Sequence, residues 1–154
     1  MRVFETRYGV PGWGTGELWR RGETVLLHEF HFGLLDAAAA AADELVQRFV
    51  AFLGGEPVAF DDVELDLDWA TDLQRALVEV LRAVPRGEVV SYGELAALAG
   101  RPGAPRAAGA VCSANRFAFV VPCHRVVAAH GIGGYGDAGV EVKRRLLALE
   151  GVRL

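Results

Sequence analysis

The chain has 154 residues, 52% of them hydrophobic and 23% charged, a size and balance that suit one domain or two small ones and exclude intrinsic disorder, collagen-like repeats and a disulfide scaffold. Two cysteines, Cys112 and Cys123, with neither a CxxC pair nor a four-ligand Cys/His set, argue against a structural zinc site and for a reducing, cytoplasmic setting. The net charge of −4 hides an asymmetry, with −9 over residues 1–72 and +5 over residues 73–154.

No stretch of about 18 apolar residues occurs, and the N-terminus has no h-region or cleavage pattern, so neither secretion nor a membrane span is expected. Between Glu94 and Asp137 no acidic residue occurs, whereas Arg101, Arg106, Arg116 and Arg125 do. A localised basic face of this kind is the footprint of phosphate contacts, with a merely solvated basic face as the alternative.

In chain order, residues 17–20 and 24–30 flank Gly22 as a hairpin. Asp36 is the expected cap of a helix reaching Leu53, with Leu45, Val46, Phe49, Val50 and Leu53 at helical spacing and Gly54-Gly55 as its stop. The alanine run 37–42 is helix-forming filler. Residues 1–60 thus read as a small α/β domain. The acidic stretch from Glu56 to Asp72 lacks clear periodicity, and residues 61–72 are taken as the linker to a second domain over residues 73–154.

That second domain opens on a helix whose apolar face is Leu73, Ala76, Leu77, Val80, Leu81 and Val84, ended at Pro85. Ser91 and Glu94 form a capping box for a short helix to Gly100, and Pro105 suits the first turn of another over residues 106–114. The pair has a helix-turn-helix shape. Ala107, Ala108, Gly109 and Ala110 give the second helix a small face suited to close approach to another surface. Residues 117–121 read as a buried strand, Pro122 bends the chain before Cys123, a glycine-rich loop covers residues 131–136, and a last helix carries Val142, Leu146, Leu149 and Glu150.

A thiol becomes a nucleophile where positive charge, a base or a helix N-terminus favours its thiolate. Cys123 has His124 beside it and Arg125 beyond, although adjacency alone does not secure a Cys–His contact. Cys112, with no neighbouring base in sequence, reads as an inert core thiol.

Tyr92, Arg106, Asn115, the run Pro122-Cys123-His124-Arg125, Tyr135 and Glu150 together resemble the O6-alkylguanine-DNA alkyltransferase family, and the likeness runs from about Gln74 to the C-terminus. The resemblance implies an α+β protein with a small N-terminal α/β domain and a C-terminal winged-helix-like, helix-turn-helix catalytic domain. It implies a cytoplasmic monomer, able to bind cooperatively, that acts on double-stranded DNA containing O6-alkylguanine. The damaged nucleotide would be flipped out and its alkyl group moved irreversibly to Cys123, with no cofactor and no metal.

By the same resemblance His124 takes the thiol proton through a water, Glu150 orients His124, and Asn115 braces the turn. Arg106 fills the vacated stack. Tyr92, Ala107, Ala108, Gly109, Ser113, Arg116 and Arg125 contact DNA. Tyr135, Val126, Gly136 and Asp137 line the base pocket. Departures from the family pattern include Arg116 where proline is common, Ala108 for valine, Leu73 and Val78 in place of an aromatic pair, and one extra residue between Tyr135 and Gly139. His28 and His31 alone are too few for the zinc that some members bind. Two other readings are a non-catalytic binder of alkylated DNA, which would typically lack the acceptor cysteine, and a cysteine hydrolase, which would need a distal histidine in a signature context.

Overall fold

Three antiparallel strands open the fold: β1 (Val3–Val10), β2 (Gly14–Arg21) and β3 (Thr24–Phe32), in the order β1-β2-β3. The computed structural model describes residues 2–34 and 43–154. It divides into two units, Met1–Asp66 with Arg116–Ala118, and Leu67–Asn115 with Phe119–Leu154.

In the first unit, Gly22, at φ 60°, makes the expected turn between β2 and β3, and a bulge at Trp19/Arg20 shifts their register. Strand β1, which the sequence reading left unassigned, pairs with β2 from Val3↔Arg21 to Val10↔Gly14. Its Tyr8 is fully buried and lies across Gly16, where a Cβ would come within 2.3 Å of the phenol ring. Helix α1 (Glu44–Leu53) buries Leu45, Val46, Phe49, Phe52 and Leu53, and Asp43 caps it by accepting from the N–H groups of Leu45 and Val46. The cap expected at Asp36 and the alanine run lie outside the described residues.

His28 sits at the centre of this core. Its Nδ1 donates to the Ala118 carbonyl at 2.8 Å, its Nε2 lies 2.7 Å from the Tyr8 hydroxyl, and its ring stacks on Phe49 at 3.8 Å between centroids. Burial lowers its pKa from 6.5 to about 4, against the opposing carbonyl bond. The neutral ring therefore keeps one donor and one acceptor, and both are used.

Two further segments add to the free edge of β3. Val25 exchanges bonds with Glu64 and Asp66 at 2.8 and 2.9 Å, so the stretch read as a linker is packed as far as Asp66, with Phe60 and Val63 buried. His28 exchanges bonds with Arg116 and Ala118 at 2.7 and 3.0 Å. No continuous strand forms over residues 117–121: Phe117 bridges His28, and Phe119 adopts φ 71°, which extended backbone does not allow.

The second unit is mostly helical. Helix α2 (Asp72–Arg82) begins with a capping box between Thr71 and Gln74 and buries Leu77, Val78 and Leu81. Strand β4 (Val90–Ser91) leads into α3 (Tyr92–Leu98), where Ser91 Oγ accepts from the Glu94 N–H and the Glu94 carboxylate accepts from the Ser91 N–H, both at 3.0 Å. Helix α4 (Pro105–Ser113) starts at the expected proline and buries only Ala108. A single 3-10 turn, Cys123–Arg125, precedes β5 (Val126–Val127), which pairs in parallel with β4. Helix α5 (Val140–Leu149) buries Lys143, Leu146 and Leu147 rather than the expected stripe through Val142 and Leu149. The fold is thus mixed α and β. Among the described residues, no helix is long and apolar enough to cross a membrane.

Candidate active site

Pro122 has no N–H and a fixed φ, and the chain turns sharply after it: the Cys123 N–H bonds the Val121 carbonyl at 2.8 Å and the Arg125 N–H bonds the Pro122 carbonyl at 2.9 Å. This puts Cys123 and His124 in one buried turn. Asn115, just past the end of α4, donates from Nδ2 to the Val121 carbonyl at 3.0 Å, and its side chain acts to lower the Cys123 pKa. The positive φ of the buried Phe119 lies inside the loop that Asn115 closes, a local cost of the kind found beside functional sites.

Glu150, the residue that ends α5, lies beneath that turn. Its Oε2 is 2.9 Å from His124 Nε2, while Arg125 donates to Oε1 from Nε at 2.9 Å and to Oε2 from Nη2 at 2.7 Å. Burial alone would raise the Glu150 pKa, but the bonds from His124 and Arg125 prevail and bring it to about 2. The carboxylate is therefore an acceptor only, which fixes the His124 proton on Nε2 and leaves the lone pair on Nδ1. Burial lowers the His124 pKa against the pull of Glu150, so the ring is neutral near pH 7.

The neighbouring Cys112 thiol, and then burial, push the Cys123 thiol well above its ordinary range, while Asn115 and Lys143 act in the other direction. Cys112, read from sequence as isolated and inert, is therefore a neighbour of the candidate nucleophile. The proximity joins the last turn of α4 to the Cys123 turn, a contact that local sequence cannot reveal.

Lys143 was given no role by the sequence reading, yet it is fully buried. Its Nζ donates to the carbonyls of Val126 and Gly134 at 2.6 and 3.0 Å and lies 5.9 Å from the centre of the Tyr92 ring. Burial lowers its pKa, and the nearby thiols raise it. The available signal was a lysine three residues before Leu146, on the apolar face of α5.

Outside this unit, Glu17, Glu29 and His31 offer ligand atoms within 4.8 Å of one another, but Glu17 is already paired with Arg7.

The profile of the 6-O-methylguanine DNA methyltransferase DNA-binding domain matches residues 72–152. The methylated-DNA–protein-cysteine methyltransferase of Methanothermobacter thermautotrophicus is 42% identical over 114 residues, which is 74% of this chain and 64% of that protein. This chain belongs to the O6-alkylguanine-DNA alkyltransferase family. The Salmonella typhimurium methyltransferase is 38% identical over 136 residues, 88% of this chain and 78% of its own. Among solved structures, Mycobacterium tuberculosis O6-methylguanine methyltransferase superposes with TM-score 0.81 at 35% identity, covering 99% of this chain and 95% of that one. The M. tuberculosis protein in complex with DNA gives TM-score 0.78 at 33% identity, covering 98% and 93%.

Of the positions that carry the alkyltransferase resemblance, Cys123, His124, Asn115 and Glu150 come together in the second unit. Tyr92, half-buried, opens α3, and burial raises its pKa. Burial also raises Tyr135, with Cys123 and Cys112 close enough to add to the shift. Arg106 and Ser113 are exposed on α4, Ala107 and Gly109 are half-buried, and Gly136 and Asp137 are exposed in the loop. Arg116 is exposed in the segment that belongs to the first unit.

One expectation is corrected. Arg125 does not offer its guanidinium to phosphate, because Glu150 and the Val84 carbonyl, at 2.8 Å from Nη1, engage it. Val126 is fully buried as the first residue of β5, and its carbonyl is taken by Lys143.

Proposed function

We propose that this chain repairs duplex DNA by moving an alkyl group from O6 of guanine to Sγ of Cys123, once per molecule. What carries the reading is the Glu150–His124 pair beside Cys123: an ionised, buried carboxylate holding a neutral imidazole in one tautomer.

In the reaction, His124 Nδ1 takes the thiol proton through a water, and Glu150 stabilises the imidazolium that results. The thiolate attacks the O6-bound carbon. A C–S bond forms, the C–O6 bond breaks, and guanine departs with the bonding electrons and takes up a proton. The product thioether has no leaving group that water readily displaces, so the protein is consumed.

The pair α3 and α4 serves as the DNA-reading part of a winged-helix-like unit, with the small face of α4 in the minor groove, only about 6 Å wide. Arg106 fills the gap left by the flipped base, while Tyr92 and the loop around Tyr135 receive that base. The bond from Asn115 to the Val121 carbonyl supports its role as the brace of the turn. The DNA complex of the M. tuberculosis relative supports DNA as the partner. No cofactor enters the scheme, and a cytoplasmic monomer suffices for it.

Incubation with a duplex containing O6-methylguanine, followed by intact-mass analysis and peptide mapping, tests the proposal. One methyl group on the peptide containing Cys123, absent from Cys123→Ser, is expected. A protein that binds the duplex and never gains the methyl group would instead be a binder of alkylated DNA.

A further inference from the structure

The turn that holds Cys123 and His124 also contributes Arg125, and its guanidinium reaches the same carboxylate as the His124 ring. Nε donates to Glu150 Oε1 at 2.9 Å and Nη2 to Glu150 Oε2 at 2.7 Å, a fork-to-fork pairing, while His124 Nε2 shares Oε2 at 2.9 Å. The remaining corner, Nη1, donates to the Val84 carbonyl at 2.8 Å, in the loop that follows α2, so a second segment fixes the plane of the guanidinium. The side chains of Glu150, His124 and Arg125 are 0%, 1% and 11% exposed. One buried carboxylate thus serves two donor residues, of which the transfer scheme uses only the histidine.

We propose that Arg125 is a positioning residue for the base: by compensating the Glu150 carboxylate from its other side, it keeps His124 neutral and able to take the Cys123 proton. That use of the base rests on the alkyl-transfer reading; the hold of Arg125 on the Glu150–His124 pair does not.

A buried carboxylate needs a positive partner. With a histidine as its only partner it draws a proton onto the ring, because an imidazolium facing the carboxylate is favoured over a neutral ring facing an uncompensated charge. A base that already carries its proton cannot take another. Arg125 stays charged across the whole working range of pH, so it supplies the compensation permanently, and its planar fork matches the two carboxylate oxygens. Its charge also opposes the upward pull of Glu150 on the His124 pKa and helps to hold the Glu150 carboxyl at about 2. The other charge acting on His124 is Lys143 of α5, whose ammonium is engaged by the Val126 and Gly134 carbonyls, and the adjoining Cys123 thiol is neutral before the transfer. A lysine in place of Arg125 carries the charge without the fork.

Arg125→Met and Arg125→Gln remove the charge, and Arg125→Lys keeps it. In the full-length protein, the ring nitrogens of His124, identified by their loss in His124→Ala, are titrated by nitrogen NMR, and single-turnover rates with free O6-benzylguanine are measured over the same range of pH. In the neutral variants the His124 titration should move up by about one pH unit or more, and the acid limb of the rate should move with it, a roughly tenfold loss on the acid side that disappears as the pH rises. Arg125→Lys should stay close to the wild type in both readouts. An unmoved His124 titration in a folded neutral variant, a rate that falls equally at every pH, or a lysine variant shifted as far as the neutral ones would overturn the proposal. So would neutral variants that fold at no pH, since a protonated His124 could not then replace the arginine, which would be a structural tie. If the wild type takes no methyl group from O6-methylguanine duplex while the His124 titration moves as stated, the repair reading fails and the hold of Arg125 on the ring stands. If methyl reaches Cys123 and the titration does not move, the reverse holds.

Discussion

Each unit contains one fully buried histidine, and the two have opposite surroundings. His28 lies between a phenol, a backbone carbonyl and a phenylalanine ring, all uncharged, and its pKa falls to about 4. His124 lies against a carboxylate that Arg125 also holds, so burial and charge pull its pKa in opposite directions. A histidine among neutral partners is locked in one protonation state and works as a packing group. A histidine on an ionised carboxylate can accept a proton, because the charge it would gain is already compensated. Burial is common to both; the partner separates structure from chemistry.

The largest test of this contrast exchanges the two sites. His124→Ala should slow methyl transfer by roughly a hundred- to ten-thousandfold, the usual worth of a positioned general base. His28→Ala should leave the rate per folded molecule near that of the wild type, while costing about 3 kcal/mol or more of stability through the lost ring and the stranded Tyr8 hydroxyl. Single-turnover rates and urea midpoints for both variants decide it. Equal rate losses would erase the distinction.

A second test separates proton handling from DNA handling inside the second unit. Arg106→Ala should slow repair of duplex by roughly ten- to a thousandfold, since the unstacking it offsets costs a few kcal/mol, and should hardly affect reaction with free O6-benzylguanine. His124→Ala and Glu150→Gln should slow both substrates alike, because the thiolate is needed in either case. If Arg106→Ala is equally slow on free base, the arginine has no part in flipping.

The same contrast shows how far the sequence could be read. Elements specified by neighbouring residues were legible: the Ser91–Glu94 capping box, Pro105 at the first turn of α4, the turn at Gly22, and the run from Pro122 to Arg125. What escaped depends on contacts between distant segments. Strand β1 carries Glu5 and Arg7 on an exposed face and keeps only Tyr8 and Val10 well buried, so its alternation is faint. Phe117 reads as strand by composition, yet Phe119 ends any extension. Arg125 reads as a phosphate ligand until Glu150, 25 residues on, is seen to hold it. Lys143 and the Cys112–Cys123 pair follow the same rule: the residue type was visible, and the neighbour that defines its role was not.

A third prediction uses pH. An unfolded histidine titrates near 6.5 and His28 near 4, so below pH 6.5 the unfolded chain binds a proton that the folded protein refuses. Stability from this site is complete above pH 6.5 and is lost as the pH falls towards 4, by on the order of 2 kcal/mol between pH 7 and pH 5. Glu150 behaves differently: its pKa is depressed to about 2, so its contribution is retained down to about pH 4.5 and lost only below that. Urea unfolding of His28→Phe should therefore show a flatter slope between pH 7 and pH 5, whereas Glu150→Gln should flatten only the acid limb. A wild-type slope in His28→Phe would show that His28 is not the group being titrated.

The smallest expected effect concerns helix caps, one in each unit. Asp43 caps α1 and also pairs with Arg20, while Ser91 caps α3 at the residue just before Tyr92. Losing either side-chain cap should cost about 1 kcal/mol. In Asp43→Ala that cost belongs to a helix whose buried face is Leu45, Val46 and Phe49, so the urea midpoint should fall without a change in methyl transfer per folded molecule. In Ser91→Ala the first turn of α3 frays at Tyr92, over whose ring the Lys143 ammonium sits, so a comparable loss of stability should come with a severalfold slower transfer. Ser91→Thr keeps a hydroxyl acceptor and should recover both. If Ser91→Ala lowered stability with no effect on rate, the order of the first turn of α3 would be irrelevant to the chemistry, and the division of labour between the units would rest on the turn from Cys123 to Arg125 and Glu150 alone.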